Sequence, residues 1–376
     1  MALSRISRST LPAALAVIAV IAGCGSDDSE PSGGGSESAS AADPQQERLF
    51  KGEGYKLPAT TGPKPQPGKE VWIFSCSESI ASCSTPSAAA VEAVETIGWE
   101  PTLYDTKLEP SRITEGYRQA VAAGADGVIE YSLDCSISKT GLQAAERAKV
   151  PVVAAEALND CGGSPTFSHI VTYTLGDYGK WWGSFGEAQA TNVIVGTEGK
   201  AKAIAILQTD FPAMRKTLAG FEAGIKKCGG CEILQTIDFT VADIGTPLQQ
   251  KVQQALVSHP DANAVFLVYD LLALGVDGAI RASGRSRDLF VAVAEGQSST
   301  MERLRTGAIK GAGVGIPQAW ESYASVDALN RIFNGEKPLN SNIGLQAFDT
   351  EHNFPAEGRW EPPVDFKKAY LEAWGK

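Results

Sequence analysis

The sequence alternates short runs rich in β-branched residues with amphipathic helical stretches, and it does so in two successive blocks. The first block extends from an expected strand at 71–74 to one at 150–155, and the second from 202–207 to 308–316. Strands that alternate with helices predict parallel sheets with helices packed on both faces. Two blocks of similar size therefore predict an α/β fold with two Rossmann-like, doubly wound parallel-sheet lobes.

The same pattern gives approximate bounds for each element. In the first block we expect strands at 71–74, 127–131 and 150–155, and helices at 88–97, 113–123 and 142–148. In the second block we expect strands at 202–207, 232–239, 264–268, 290–294 and 308–316, and helices at 213–228, 246–258, 272–282, 301–306 and 319–333. Ligands of parallel sheets bind beyond the carboxyl ends of the strands, so a cleft between the two lobes is the predicted site.

The N-terminus has the features of an export signal. Arg5 and Arg8 supply positive charge, and residues 11–22 are apolar but too few for a membrane span, which takes about 20 residues. Residues 21–24, Ile-Ala-Gly-Cys, resemble a bacterial lipobox, whose cysteine accepts a diacylglyceryl group. We predict a signal peptide over 1–23 and lipidation of Cys24, on the extracytoplasmic face of the cell membrane. An ordinary cleavage site beside an incidental cysteine is the alternative.

Residues 24–68 have the composition of a linker, first rich in Gly and Ser and later in Pro. They contain too few large apolar residues to offset the entropy of ordering the chain, so we predict a disordered tether. The remaining residues are enough for two domains of ordinary size. A formal net charge of −11 argues against nucleic acid as a partner.

The chain has seven cysteines, and lipidation of one leaves six. The six are sequence neighbours in pairs: Cys76 with Cys83, Cys135 with Cys161, and Cys228 with Cys231. An exported protein meets an oxidising compartment, which favours disulfides, although the sequence leaves their connectivity open. The Cys-Gly-Gly-Cys spacing at 228–231 also suits zinc. No second such pair accompanies it and the three histidines are scattered, so we predict no metal and no cofactor.

Parts of the second block resemble a known family. Segments 247–251, 259–266 and 270–275 look like the second lobe of type I periplasmic binding proteins, which include the ribose- and galactose-binding group and the sensor domains of LacI-type repressors. Segment 291–296 resembles the family's strand ending in Gly-Phe-Asp-Gly, and 334–338 resembles the end of its last helix. LacI repressors carry an N-terminal helix-turn-helix where this chain carries a lipobox, which favours the transporter branch.

The resemblance implies a clamshell whose lobes close on a ligand by a hinge motion. It implies three crossovers between the lobes, near 171–174, 313–317 and 342–345. With these crossovers, the expected division is lobe 1 at 69–172 plus 316–343 and lobe 2 at 173–315 plus 344–376.

The candidate ligand contacts are mostly polar and aromatic residues just after the strands. Carboxylates and arginine orient a ligand through charge-assisted hydrogen bonds, and aromatic rings offer flat apolar faces. The candidates are Ser77, Glu78, Tyr131, Asp134, Glu156, Asp210, Arg215, Phe239, Tyr269, Asp270, Glu295, Trp181 and Trp320.

Several candidates have a competing structural role. The two glutamates, Glu156 and Glu295, could pair with Arg or Lys in the hinge, and the tyrosines could lie at the edge of the core. Asp270 could cap the following helix. Arg215 lies in the first turn of a helix, where a cation opposes the helix dipole, so a surface role is less natural for it. Of the adjacent tryptophans at 181–182, at most one can face the cleft.

Departures from the sugar-binding pattern affect the predicted ligand. The first loop, 79–84, has no aromatic residue where ribose-type binders carry an Asn-Pro-Phe-Phe-like clamp. Tyr131 and Tyr269 stand where that group has asparagine, and Glu156 and Glu295 stand where it has aspartate. A plain pentose or hexose is therefore in doubt, and an aromatic compound, a modified polyol or an amine-bearing solute fits equally well.

The sequence lacks a Gly-x-Ser-x-Gly elbow, a His-Glu-x-x-His helix and a phosphate-binding P-loop. We therefore predict a monomeric, lipid-anchored substrate-binding protein of an ABC importer, which delivers a sugar, polyol or other small polar or aromatic compound to a permease and is not an enzyme. A sensor that signals to a membrane partner is the main alternative. A glycosidase that uses Glu156 and Glu295 as a carboxylate pair is the weaker one.

Overall fold

Two separate sheets, one in each lobe, organise the part of the chain that the computed structural model describes, residues 43–164 and 166–376. The predicted signal peptide, Cys24 and the first part of the predicted tether lie outside these residues. A search of the described residues finds no helix both long and apolar enough to cross a membrane.

The strands are β1 (Glu70–Ser75), β2 (Glu100–Asp105), β3 (Gly127–Tyr131), β4 (Val152–Ala155), β5 (His169–Ile170), β6 (Lys202–Gln208), β7 (Glu232–Phe239), β8 (Ala264–Leu267), β9 (Phe290–Glu295), β10 (Lys310–Gly315) and β11 (Gln346–Phe348). The helices are α1 (Pro44–Lys51), α2 (Ala81–Thr96), α3 (Pro110–Ala123), α4 (Cys135–Ala148), α5 (Tyr178–Gly196), α6 (Pro212–Ile225), α7 (Thr246–Ser258), α8 (Val276–Ala282), α9 (Ser298–Arg305), α10 (Gln318–Phe333) and α11 (Phe366–Trp374).

The two sheets share one topology. The lobe 1 sheet has the order β2-β1-β3-β4-β5, and the lobe 2 sheet has the order β11-β10-β9-β8-β6-β7. All neighbouring strands are parallel except β11, which runs antiparallel to β10. Each sheet reverses its strand order once, between β1 and β3 and between β6 and β8. Ligands of such sheets bind at these reversals, beyond the carboxyl ends of the strands.

Helices on both faces explain why the central strands read as continuous apolar runs. Every residue of β3, β4, β8 and β9 is buried. The edge strand β2 has no buried residue, and its sequence, Glu-Pro-Thr-Leu-Tyr-Asp, carries no strand pattern. For this reason the sequence analysis did not predict β2.

Hydrogen bonds join the chain at the positions where the resemblance implied three crossovers between the lobes. The first and the third run side by side, with the Thr174 N–H donating to Ile343 O at 2.9 Å. At the second, between β10 and α10, the Ile316 N–H donates to Glu295 O at 3.2 Å. The hinge therefore lies directly beneath the carboxyl end of β9.

The C-terminal helix corrects the predicted division of the lobes, which gave all of 344–376 to lobe 2. Helix α11 packs on α10, a helix of lobe 1, and its Trp374 ring stacks on Tyr323 at 5.6 Å between centroids. At its other end the Phe366 ring stacks on Trp320 at 5.5 Å. Burial of these rings holds α11 on lobe 1, so the segment between β11 and α11 is a further crossing.

The predicted tether over 24–68 is wrong from residue 43 onward. Helix α1 buries Leu49, and the extended chain after it lies along α10. Asn330 Nδ2 donates to Pro63 O at 2.7 Å, and Arg331 Nη2 donates to Thr61 O at 2.9 Å. Side chains of α10 thus satisfy the backbone of a proline-rich segment that its own composition cannot order.

Several helices differ from the sequence prediction, and two of them show the physical reason. Helix α5 was missed because most of its residues are buried, so no polar face marks it. The helix predicted at 272–282 is interrupted at Gly275, whose φ of 128° is open to glycine alone. A 3₁₀ turn, Leu272–Leu274, precedes the break and α8 follows it.

All three predicted cysteine pairs are disulfide-bonded: Cys76–Cys83, Cys135–Cys161 and Cys228–Cys231. The Cys-Gly-Gly-Cys segment is therefore closed by a disulfide, and its cysteines are not the zinc ligands of the alternative interpretation.

Candidate ligand-binding site

A cavity of about 60 Å³ lies between the lobes, where the carboxyl ends of the two sheets face each other. It has room for roughly four to six water molecules, at about 10–15 Å³ for each. Lobe 1 contributes Cys76, Ile80, Ser82, Cys83, Leu108, Ser132, Asp134 and Glu156, and lobe 2 contributes Tyr178, Trp182, Gln208, Phe211, Ala213, Met214, Tyr269 and Glu295.

The backbone conformation at three strand ends aims side chains into the cavity. Ser132 follows β3, Glu156 follows β4 and Glu295 ends β9, and their φ angles are 54°, 53° and 63°. Non-glycine residues pay about 1–3 kcal/mol for this left-handed conformation, and it is kept mostly at functional sites. Glu156 and Glu295 therefore share the left-handed backbone conformation, and they stand at the ends of corresponding strands of the two sheets, β4 and β9.

Glu156 is buried and held at the hinge. Its Oε2 accepts a hydrogen bond from Ser132 Oγ at 2.6 Å, and its Oε1 lies 3.5 Å from Gln318 Nε2. Burial, and then the charge of Glu156, raises the pKa of Glu321 well above its ordinary value. Burial also raises the pKa of Glu156 itself. The two carboxyl groups therefore influence each other, and Glu321 holds a proton more tightly than an ordinary glutamate does.

Glu295 connects the lobes. Its Oε2 accepts a hydrogen bond from Ser82 Oγ of lobe 1 at 2.5 Å and one from Gln297 Nε2 at 3.2 Å. Thr85 Oγ1 of lobe 1 adds a second bond across the cleft, to Gln297 Oε1 at 3.2 Å. Burial, then the charges of Glu156 and Asp270, raises the pKa of Glu295 to about 8. These contacts hold the lobes in a closed arrangement.

Three buried polar groups in the cavity wall lack a partner, and one of them is Trp182 Nε1. Asp134 Oδ1 accepts the Leu158 N–H at 2.7 Å, but no hydrogen bond reaches Oδ2. On the opposite lobe, Gln208 Nε2 at the end of β6 is buried without an acceptor. Burial raises the pKa of Asp134 to about 7. A buried polar group left unpaired costs about 1–3 kcal/mol, and a bound molecule that pairs with these groups would offset that cost.

Aromatic side chains form the lobe 2 wall. Tyr178 and Trp182 project from the first turns of α5, with their rings edge-to-face at 5.7 Å. Phe211, just before α6, and Tyr269, just after β8, complete this wall. Glycines let α5 and α6 pack closely: a Cβ on Gly220 would lie 1.9 Å from Gly183 O, and one on Gly186 would lie 2.0 Å from Thr217 O.

Four of the predicted site residues line the cavity: Asp134, Glu156, Tyr269 and Glu295. Ser77 and Glu78 instead organise the loop after β1. Ser77 Oγ lies 2.9 Å from Ser79 Oγ, and Glu78 Oε1 accepts a hydrogen bond from Ser87 Oγ at 2.7 Å.

Three further candidates lie in the hydrophobic core, away from the cavity: Tyr131, Phe239 and Trp320. Trp181 is also buried, and its Nε1 donates to Gly344 O at 3.2 Å. Its neighbour on α5 is the tryptophan that reaches the cavity, because successive helical residues point about 100° apart.

The last three candidates serve local structure. Asp210 is exposed and accepts the Val241 N–H at 2.9 Å. Arg215 is exposed and its Nη2 lies 3.4 Å from Thr209 O. Asp270 accepts a hydrogen bond from Thr300 Oγ1 at 2.5 Å.

The sequence analysis missed much of the cavity wall. Ser132 and Gln208 stand at strand ends, so the rule that found the glutamates could have found them. Tyr178 and Trp182 lie on a helix whose apolar composition hides its orientation, and Ser82 lies on α2 ahead of its predicted start. No local signal marks these three.

One cation acts electrostatically on the glutamates: Arg359, on the crossing before α11. Its Nη2 donates to Ile316 O at 3.2 Å, and its Nε lies 3.3 Å from Glu361 Oε1. Burial lowers the pKa of Arg359, while Glu361, Glu295, Glu321 and Glu156 oppose that effect. Arg359 therefore screens the hinge glutamates at a distance, and its closest carboxylate is Glu361.

Two doubly wound lobes that enclose a cavity at the facing ends of their sheets define a two-lobed binding protein of the clamshell class. The chain matches the periplasmic binding protein domain family over residues 77–337, and it belongs to that family. The family and the clamshell fold predicted from the sequence are thus confirmed, and a periplasmic binding domain indicates an extracytoplasmic location. No curated protein sequence matches the chain.

Solved structures share the fold. The periplasmic binding protein of the arabinose ABC transporter from Shewanella sp. ANA-3, bound to α- and β-L-arabinofuranose, has a TM-score of 0.64 at 19% identity, covering 75% of this chain and 92% of that one. A Mycobacterium smegmatis protein in complex with β-D-fucofuranose has a TM-score of 0.63 at 17% identity, covering 75% and 92%. A Burkholderia graminis C4D1M ABC transporter solute-binding protein in complex with D-arabinose has a TM-score of 0.66 at 15% identity, covering 77% and 98%. The family and these relatives are binding proteins rather than enzymes.

Proposed function

We propose that the protein is the lipid-anchored solute-binding component of an ABC importer, which captures a small molecule in the interlobe cavity, delivers it to a membrane permease and catalyses no reaction. The observation that carries the proposal is the cavity itself. Both lobes contribute to its wall, and Asp134 Oδ2 and Gln208 Nε2 are buried there without partners. A solute can supply those missing partners only when the lobes are closed.

Capture by closure fits the contacts between the lobes. The bonds from Ser82 to Glu295 and from Thr85 to Gln297 form only when the lobes meet, so they favour the closed arrangement. A permease can then distinguish loaded from empty protein by the closed shape. The likeness to binding proteins of sugar ABC transporters supports this role.

Anchoring is supported by the lipobox at 21–24, which ends at Cys24. Replacing Cys24 with alanine should release the protein into the medium, whereas the wild-type chain should incorporate labelled fatty acid and stay with the membrane fraction. Incorporation of label by the variant, or release of the wild-type chain, would contradict anchoring.

Solute capture is tested with the chain from Gly25 onward. A panel of small solutes is screened by thermal unfolding, and a ligand in excess raises the midpoint by binding only the folded state. The hit should then fail to accumulate in cells that lack the protein, and the purified protein should leave it chemically unchanged. Turnover of the hit would favour the glycosidase alternative, and normal uptake with a lost signalling response would favour a sensor.

A further inference from the structure

We infer that the solute is a small organic cation, a protonated amine with an apolar or aromatic body, rather than a neutral sugar. The inference rests on the proposed solute-binding function and specifies its ligand class. It follows from the charge of the cavity wall, from its aromatic faces and from a carboxylate oxygen with which no group of the protein pairs.

The charged residues of the cavity wall are all acidic. Asp134, Glu156 and Glu295 line it, and no Lys, Arg or His is found among the described residues that do so. Asp134 and Glu156 come from lobe 1 and Glu295 from lobe 2, so closure places a molecule between carboxylates of opposite lobes. Buried carboxylates are costly unless a positive charge pairs with them.

Arg359 does not supply that charge. Its guanidinium bonds to Ile316 O and pairs with Glu361. Near it lie Glu156, Glu295 and Glu321 as well, so several carboxylates share one arginine. The hinge therefore keeps an excess of acid that a bound cation would balance.

The opposite wall suits a cation too. Tyr178, Trp182, Phe211 and Tyr269 offer aromatic rings to the same cavity. A cation over an aromatic face gains about 0.5–2 kcal/mol, more when it is desolvated. Carboxylates beside aromatic faces are the combination by which proteins hold ammonium groups, and the rings also accept an apolar body.

The hydrogen bonds of the wall leave a buried carboxylate oxygen, Asp134 Oδ2, and two buried donors, Gln208 Nε2 and Trp182 Nε1, unused. The Ser82 and Ser132 hydroxyls already donate to Glu295 and Glu156. The bonds that Glu295 accepts both end on Oε2, and Asp134 Oδ2 accepts none. An ammonium group offers donors only, and these can pair with the unused carboxylate oxygens. Gln208 Nε2 and Trp182 Nε1 are unused donors, so we expect acceptors elsewhere on the solute.

A cation must displace protons from the carboxyl groups that hold it. Glu295 faces Ser82, Gln297, Tyr269, Glu156 and Asp270, and burial raises its pKa to about 8. Asp134 faces Asp160 and the N–H groups of Leu158 and Ala213, and burial raises its pKa to about 7. Glu156 faces Ser132, Gln318, Glu321 and Arg359. Affinity for an amine should therefore rise between about pH 6 and pH 8 as these groups ionise.

The test measures matched ligand pairs by calorimetry on the chain from Gly25 onward. The pairs differ in charge and not in size: phenethylamine with 2-phenylethanol, cyclohexylamine with cyclohexanol, and further alkylamines, which stay protonated over the whole pH series, with their neutral isosteres. We expect one amine or more to bind at least about tenfold more tightly than its isostere, with affinity increasing toward pH 8.

Two variants locate the effect. Glu295→Gln keeps an acceptor for Ser82 and removes the charge, so it should weaken amine binding about tenfold or more. Glu130→Gln is the matched control, because Glu130 is equally buried but lies away from the cavity, and it should change affinity less than about twofold. If Glu295→Gln does not fold, Asp134→Asn replaces it, and the pH series on the unmodified chain needs no variant.

The outcomes separate this inference from the proposed function. Neutral members that bind as tightly as their amines, or an affinity that falls toward pH 8, overturn the cation while leaving solute binding intact. Equal loss in the Glu130 control and the Glu295 variant overturns the assigned position. A panel in which no amine and no neutral solute binds overturns both proposals.

Discussion

Replacing Glu130 with glutamine should make the protein more stable at alkaline pH and leave it nearly unchanged in acid. Glu130 lies on β3 and is completely buried. Its Oε2 accepts hydrogen bonds from Tyr117 Oη at 2.5 Å and from Ser138 Oγ at 3.2 Å, whereas Oε1 has no partner. Burial raises its pKa to about 8, against the opposing effect of the two hydrogen bonds.

The sign and size follow from proton linkage. The folded chain binds this proton more tightly than the unfolded chain, whose pKa is near 4.5, so the contribution is complete below about pH 4.5 and is lost as the pH rises to about 8. The difference between the two pKa values corresponds to about 5 kcal/mol, at about 1.4 kcal/mol for each pH unit. Relaxation around the charge reduces this, so we expect a loss on the order of 3 kcal/mol.

Glutamine resembles the protonated acid and cannot ionise. It keeps an oxygen for Tyr117 and Ser138, so at about pH 5 the variant and the wild-type chain should differ by less than about 1 kcal/mol. At about pH 8 the variant should be more stable by about 3 kcal/mol. Other buried acids with a raised pKa affect the stability of the wild-type chain and of the variant alike. The difference in stability between the two proteins therefore reports the contribution of Glu130.

The assay is urea-induced unfolding followed by tryptophan fluorescence at about pH 5, 6.5 and 8, with the disulfides intact. Glu115→Gln, the same replacement at an exposed site on α3, is the control and should not alter the pH dependence. Our reasoning fails if the stability difference between the Glu130 variant and the wild-type chain is the same at pH 5 and pH 8.

Three further predictions concern the structures that support the cavity. Gly220→Ala should destabilise the protein by about 1–3 kcal/mol, because its Cβ would lie 1.9 Å from Gly183 O, whereas Gly229→Ala, with nothing within 4 Å, should be neutral in urea unfolding. Replacing Cys76 and Cys83 together with serine should weaken solute binding markedly and change the unfolding midpoint little, since both half-cystines line the cavity. Binding as tight as that of the wild-type chain would argue against their role. Removing residues 366–376 should expose the rings of Trp320 and Tyr323 and lower the unfolding midpoint, and an unchanged midpoint would show that α11 is dispensable.

The sequence predicted the sheets well because their strands carry the signal themselves. Strands buried on both faces are uninterrupted apolar runs, as in β8 and β9, and each is followed by a helix with one polar face. Where an element is polar on all sides, as β2 is, or apolar on nearly all sides, as α5 is, this contrast disappears. The segment at 43–68 was missed for a related reason, since its partners on α10 are remote in sequence.

The same distinction between strands and helices separates the site residues that could be predicted from those that could not. A residue at the end of a parallel strand is directed to the cleft by the sheet, so Glu156 and Glu295 could be found without knowing the packing. A residue on a helix depends on the rotation of that helix, which the sequence does not reveal. Arg215 shows the consequence: Ala213 and Met214, on the same first turn of α6, line the cavity, and Arg215 faces solvent.

The dipole argument for Arg215 failed for a further physical reason. A cation in the first turn of a helix is unfavourable by less than about 1 kcal/mol at an exposed site, which is too little to direct a long side chain into a cleft. Burial of carboxylates is a larger effect, because an unpaired buried acid either remains protonated or requires a cation. The glutamates at the strand ends are thus the residues from which both the position of the site and the charge of its ligand can be argued, and the helix-borne arginine is not.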